Sequence, residues 1–149
     1  MTLDEILGHL NNDLRNEYKH LLFYMHAANL LVGVKRLYIA DFLKAHATEE
    51  MAHVYQFAHK IRGWGGTPYS GLAAHQFPEG LTTAEQIIDY AIEMEQEVIA
   101  NYHKRHEQAE ELRNATGKHF DIALFLEEQI EHSQADVDEL LQIQREWKN

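Results

Sequence analysis

The sequence predicts an all-α domain: an antiparallel four-helix bundle made of two helical hairpins joined by one long crossover connection. Three observations predict it. Residues rich in Leu, Ala, Glu, Gln and Lys recur with helical periodicity on both sides of one central interruption, and no segment alternates apolar and polar residues as a strand would. The only two prolines, Pro68 and Pro78, both fall in that interruption, a Gly-rich stretch over residues 62–80 that reads as the one long loop. Finally, 149 residues with 45% hydrophobic content suffice for a single domain, residues 1–149, whose core needs neither disulfides nor structural metal.

Each element has a local reason. Thr2-x-x-Glu5 has the spacing of a capping box and starts a first helix over residues 3–31. Gly33 marks the turn into a second helix over residues 35–61. After the long loop, Thr82-x-x-Glu85 repeats the cap spacing and opens a third helix that runs to about residue 113. Asn114-Ala-Thr-Gly117 breaks it, and a fourth helix follows over residues 118–146. Helices of about 28 residues are ~42 Å long at ~1.5 Å per residue, a bundle length.

Composition excludes several function classes. With no cysteine, disulfides, thiolate zinc sites and iron-sulfur clusters are ruled out, so any metal needs nitrogen and oxygen ligands. The same absence fits a reducing cytoplasm, the expected location. A net charge of −11 repels phosphate backbones and anionic lipid heads, so neither nucleic acid nor a membrane is an expected partner, whereas cations are attracted. The acidic start Met1-Thr2-Leu3-Asp4-Glu5 lacks a basic, apolar leader, and no apolar run reaches bilayer-spanning length.

Steps of three and four residues trace the stripe that each helix turns to the bundle core. On the first helix the stripe is Leu3, Leu7, Leu10, Leu14, Glu17, Leu21, Tyr24, Ala28, Leu31, with Glu17 its only acid. The second reads Ile39, Leu43, His46, Glu50, His53, Phe57, Ile61. The third reads Ile88, Ile92, Glu95, Ile99, Tyr102, His106, Ala109, so that Glu95 matches Glu17 and each is followed by Tyr seven residues later. The fourth reads Ile122, Leu126, Gln129, Ser133, Asp136, Leu140, Ile143. All four stripes therefore turn polar at one level.

A buried ionised carboxylate without a partner costs several kcal/mol or is neutralised by a shifted pKa. No Lys or Arg lies on any stripe, which leaves protonation or bound metal. Two divalent ions would balance Glu17, Glu50, Glu95 and one acid from the fourth helix, and imidazole plus carboxylate suits Fe, Mn or Zn. A Glu-x-x-His spacing alone is weak, since about one arises by chance in a chain this rich in Glu and His. There are two, Glu17-x-x-His20 and Glu50-x-x-His53; only the second lies wholly on a stripe, and His20 is expected at a solvated rim. His46, one turn before Glu50, is expected to be an ordinary core histidine or one that orients Glu50 rather than a metal ligand, and His106 lies too far along its helix. Glu127, Glu128 and Glu131 fall off the stripe and read as a solvated face. Tyr24 and Tyr102 read as packing aromatics with a polar tip.

Taken together, these residues resemble the ferritin-like superfamily, specifically the bacterial non-haem ferritins and bacterioferritins, across nearly the whole chain. Di-iron carboxylate bundles use a Glu from each of two helices and a Glu-x-x-His from each of the other two. Glu17, Glu50-x-x-His53 and Glu95 match three of those elements in order, and Trp64-Gly-Gly-Thr-Pro68 resembles the turn into the family's crossover loop. For the fourth element two registers are open, Gln129-x-x-His132 and Ser133-x-x-Asp136. The first is favoured because Glu128-Gln129 resembles the start of this element in some non-haem ferritins.

The resemblance implies a ferroxidase that takes Fe(II) to Fe(III) with O2 or peroxide, for iron storage or detoxification. It makes Glu17, Glu50, His53 and Glu95 the catalytic ligands, with Gln129 and His132 completing the metal set and Mn or Zn able to occupy it. Glu49, Glu128 and Glu131 look like the family's accessory iron site. Met51 stands where bacterioferritins place their haem ligand; nothing else speaks for porphyrin, so Met51 is expected to fill a gap at a two-fold interface instead. The implied assembly is homo-oligomeric, a dimer or a shell of twelve or twenty-four subunits, and the chain's length leaves no room for the short fifth helix of larger ferritins. The competing expectations are a rubrerythrin-like peroxide reductase served by a separate electron donor, and a structural bundle whose metal site has degenerated.

Overall fold

Thr2 begins the first helix as its spacing requires. Its hydroxyl accepts from the Glu5 backbone N–H at 3.2 Å, and the Glu5 carboxylate accepts from the Thr2 N–H at 2.7 Å. A computed structural model describes residues 1–70 and 77–148 and shows four helices: α1 Leu3–Leu30, α2 Arg36–Gly63, α3 Ala84–Thr116 and α4 Phe120–Lys148. Among the described residues no strand occurs, and no helix is long and apolar enough to cross a membrane.

The cap of α3 lies one residue beyond its expected place. Thr83 and Gln86 form the box: the Gln86 side-chain oxygen accepts from the Thr82 and Thr83 backbones, each at 3.2 Å. Glu85 turns instead to an ion pair with Lys35, whose ammonium also sits 4.4 Å over the Trp147 ring. At the other end α3 continues through Asn114 to a left-handed Gly117 (φ 67°). His119 is left-handed too (φ 65°), so α4 starts at Phe120 rather than residue 118.

α1 and α2 form one antiparallel hairpin, and α3 and α4 the other. Trp64, at the end of α2, donates from Nε1 to Asp121 Oδ2 at the start of α4 (2.7 Å), while the α1–α2 turn touches the start of α3 through Val32 N to Thr82 O (2.9 Å). The described ends of the crossover therefore lie at opposite ends of the bundle. Its entry is fixed: Gly65 takes φ +97°, a Cβ on Gly66 would come within 2.9 Å of Ile61, and Asn11 holds Thr67 O and Tyr69 N at 2.9 and 2.7 Å. Its exit seats Phe77 on Phe23, with ring centroids 5.5 Å apart.

The apolar core is divided in two. One cluster, including Leu10, Leu14, Phe57, Leu112 and Leu126, fills the end where the chain begins; the other, including Phe23, Leu31, Leu43, Ile88 and Leu140, fills the opposite end. Between them lies a buried polar layer.

One buried charge pair was not on the expected stripes. Asp13 is 2% exposed and Arg105 8%, and the guanidinium grips the carboxylate through Nε (2.8 Å) and Nη2 (3.2 Å). On α3 the buried face therefore passes through Arg105 rather than His106, which is partly exposed and pairs with Glu127 at 3.1 Å. Replacing one partner leaves the other charge buried. Arg105→Met is expected to lower unfolding free energy by about 3–5 kcal/mol, and Asp13→Leu combined with Arg105→Met to recover most of that loss. Denaturant unfolding of the three proteins measures both.

Candidate metal centre

The polar layer draws on every helix. Spacing of three residues keeps Glu17 and His20 on one face of α1, and Glu50 and His53 on one face of α2. α3 brings Glu95, and α4 brings Gln129, Ser133 and Asp136. All are buried except His53, which is partly exposed. His53 Nδ1 lies 3.4 Å from Glu50 Oε2 and 3.7 Å from Glu17 Oε2, and His20 Nδ1 lies 3.4 Å from Glu95 Oε1.

The tyrosines reach across. Tyr24 of α1 donates to Glu95 Oε1 of α3 at 3.0 Å, and Tyr102 of α3 donates to Glu17 Oε1 of α1. Each carboxylate on these two helices is thus fixed by a phenol from the other, seven residues beyond its partner's acid.

Two sets of donor atoms come close enough to share an ion, Glu17–Glu50–His53 and His20–Glu50–Glu95, with all donors of a set within 4.8 Å of one another. Glu50 belongs to both. Its Oε2 is in ion-pair range of His53 yet makes no hydrogen bond, and it is shut off from solvent. An unsatisfied buried carboxylate oxygen between imidazoles and further carboxylates fits a divalent transition-metal ion of the Fe, Mn or Zn type. Among the described residues Arg105 is the only buried Lys or Arg, and it is already paired with Asp13.

Electrostatics within the layer follow from burial. Burial first, and Glu17 second, push the Glu50 carboxyl up to about 7. Burial, then Glu95, Glu50 and Glu49, push Asp136 up to about 8. Burial alone would depress the His20 imidazole, but the surrounding carboxylates, Glu95 foremost, reverse this and hold it at about 9. His53 is raised in the same way by Glu17 and Glu50 against its own burial. Without metal, then, the layer keeps its charge down by retaining protons on both acids and imidazoles.

The α4 candidates divide. Gln129 is buried and donates to Gln56 Oε1 at 3.3 Å, while His132 is exposed and stacks on His53 (5.6 Å, 8° between ring planes). His132 belongs to neither of the two donor sets. Asp136 joins a third set with His46 and Glu49, and His46 Nε2 faces Glu139 at 3.7 Å. A cleft of about 280 Å³ lined by Glu49, His53, His132, Ala135 and Asp136 opens beside the layer. Glu128 and Glu131 are exposed. Met51, 46% exposed, lines an apolar groove with Leu21, Met25 and Ala47.

His20 is buried rather than at the solvated rim that the α1 stripe predicts. α1 packs against both α2 and α3, so its buried face is broader than a two-position stripe. The signal was present in the spacing, because a residue three after Glu17 shares its face.

The raised acids set a pH dependence. Glu50 and Asp136 hold protons in the folded state up to about 7 and 8, well above their unfolded values, so their ionisation opposes folding as pH rises. His20, raised to about 9, stabilises the fold below its unfolded value near 6.5 and loses that contribution as pH climbs through 9. Both effects have one sign. Thermal melts of metal-free protein are expected to fall from pH 5 to pH 9, and saturating Zn(II) to flatten or reverse the slope; a metal-free protein most stable at pH 9 would contradict this.

The profile of the Ferritin-like domain family matches residues 7–145. No curated protein is detectably similar in sequence. Among solved structures, a ferritin-like, diiron-carboxylate protein from Bacillus anthracis strain Ames is 28% identical, with a TM-score of 0.81 over 95% of this chain and 96% of that one. Chlorobium tepidum ferritin is 19% identical, with a TM-score of 0.84 over 97% and 84% of the two chains. The Desulfovibrio desulfuricans bacterioferritin, a structure with a diiron site, is 22% identical, with a TM-score of 0.83 over 99% and 82%. Two antiparallel helical hairpins, a connection whose described ends lie at opposite ends of the bundle and a mid-bundle carboxylate layer agree with the match across the chain, and the protein belongs to the ferritin-like family.

Proposed function

We propose that the protein is a ferroxidase that takes Fe(II) as substrate, oxidises it to Fe(III) with O2 or peroxide, and so serves iron storage or detoxification. The observation that carries this reading is Glu50, a buried carboxylate shared by two donor sets and left with an unsatisfied oxygen. A carboxylate so placed can hold two ions side by side, which suits an oxidant that accepts electrons in pairs. Each Fe(II) gives one electron, and O2 taking two electrons and two protons leaves as H2O2. The diiron-carboxylate character of the Bacillus anthracis relative supports the same reading.

The chain's own groups have distinct tasks. Glu17, Glu50 and His53 hold one Fe(II), and Glu50 and Glu95 reach the other; from α4, Gln129 and His132 border the layer without negative charge. Tyr102 and Tyr24 fix the directions of Glu17 and Glu95 by donating to one oxygen of each. Uptake of Fe(II) displaces the protons held on His53 and Glu50. The apolar clusters on either side close the layer off toward both ends of the bundle.

The reading includes a homo-oligomer in the cytoplasm. The α1–α2 groove offers Met25 (48% exposed) and Met51 (46%), with Leu22 and Tyr55 one turn away on the same helices, as a contact between copies rather than as a haem seat.

Aerobic addition of Fe(II), followed by ultraviolet absorbance of the Fe(III)-oxo product, tests the proposal. Glu50→Ala is expected to lose ~100-fold or more in oxidation rate, and Tyr24→Phe, which removes only a donor to a ligand, about 10-fold. Wild-type oxidation rates in Glu50→Ala would refute the site.

A further inference from the structure

We propose that His20 supplies, through Nδ1, the third donor of a second cation position whose other donors are Glu50 and Glu95. The inference rests on the two-ion reading of the centre and changes which helices build it. In the di-iron carboxylate arrangement a Glu-x-x-His comes from each of two helices and a Glu from each of the other two. Here the second Glu-x-x-His that the structure turns into the layer is on α1, Glu17-x-x-His20, not on α4.

The two pairs work crosswise. His53 of α2 faces Glu17 of α1 at 3.7 Å, and His20 of α1 faces Glu95 of α3 at 3.4 Å, with Glu50 in reach of both imidazoles' donor sets. Donors with bonds of about 2.1 Å to one ion lie up to ~4.2 Å apart, so the His20–Glu95 separation is already a ligating one. All three residues of this set are buried, at 4%, 2% and 1% exposure. On α4, Gln129 donates its Nε2 to Gln56 and His132 is exposed, while Ser133 and Asp136 are buried and Asp136 converges instead with His46 and Glu49.

A second observation concerns the imidazole's surroundings. A ligating histidine has its other ring nitrogen satisfied by a carboxylate, a carbonyl or a water. Next to His20, between α1 and α3, lies a cavity of about 20 Å³ lined by Asn16, Lys19, Met94, Glu97, Val98 and Asn101. It has room for one water and a largely polar lining. The plain alternative is that His20 remains an imidazolium, a permanent counter-ion to Glu95 that never meets metal.

Anaerobic titration of the metal-free, full-length protein with Mn(II), read by electron paramagnetic resonance, separates the two. Wild type is expected to saturate at two Mn(II) per chain with the spin-coupled signal of ions sharing a carboxylate. His20→Gln, which keeps a donor to Glu95, is expected to drop to one Mn(II) with an uncoupled six-line signal. The double variant Gln129→Ala, His132→Ala is expected to keep both ions and the coupling. A coupled pair in His20→Gln, or loss of one ion in the α4 double variant, would overturn the role of His20 while leaving the ferroxidase reading standing. If wild type bound neither Mn(II) nor Fe(II), both would fall. Should His20→Gln not fold, as judged by circular dichroism, wild-type crystals soaked in Zn(II) decide: an anomalous peak at bonding distance from His20 Nδ1 sustains the proposal, and its absence there overturns it.

Discussion

Three glutamates from three helices, Glu17, Glu50 and Glu95, meet in a buried layer halfway along the bundle, and their mutual repulsion is the constraint that organises everything around them. An isolated ionised carboxylate is costly in such surroundings, and several together are costlier. Positive charge must come from somewhere. Two histidines supply part of it as imidazolium, retained protons supply more, and divalent cations are the remaining source that lets every acid ionise.

The same chain solves a similar problem in a different way one turn along α1. Asp13 is as deeply buried as the glutamates, but a bidentate guanidinium from α3 neutralises it within the protein. That contrast is informative. Where charge serves only structure, the sequence provides its own counter-ion; in the central layer it provides titratable groups that can yield their protons to an ion. Since whole domains are stable by only about 5–15 kcal/mol, a layer left this close to imbalance needs strong packing around it. The two apolar clusters that flank it supply that packing.

A near two-fold relation between the halves explains the layer's precision. α1 and α3 each carry a Glu followed seven residues later by a Tyr, and each Tyr hydroxyl crosses the bundle to the other helix's carboxylate. Because a phenol holds one oxygen of each, both acids are oriented by the protein's own hydrogen bonds. The symmetry stops at α2 and α4: Glu50 sits between both donor sets, whereas Gln129 opposite it is neutral and turned to Gln56.

Much of this was fixed by local chemistry. Helical periodicity, a single Pro- and Gly-rich interruption and the Thr2 cap depend on neighbours a few residues away, so four helices and a crossover could be read from one chain. The placing of Glu17, Glu50 and Glu95 at one level followed from register alone. What needed the tertiary structure was the width of each buried face. His20 and Arg105 lie just beside the stripes, and only the packing of α1 against two neighbours and of α3 against both α1 and α4 brings them inside. The cap of α3 also differs from the local reading: Glu85 pairs with Lys35 from the α1–α2 turn, and Gln86 closes the box. Periodicity along one helix reports a direction, whereas burial depends on how many other helices share that direction, and that number is set only when the bundle is assembled.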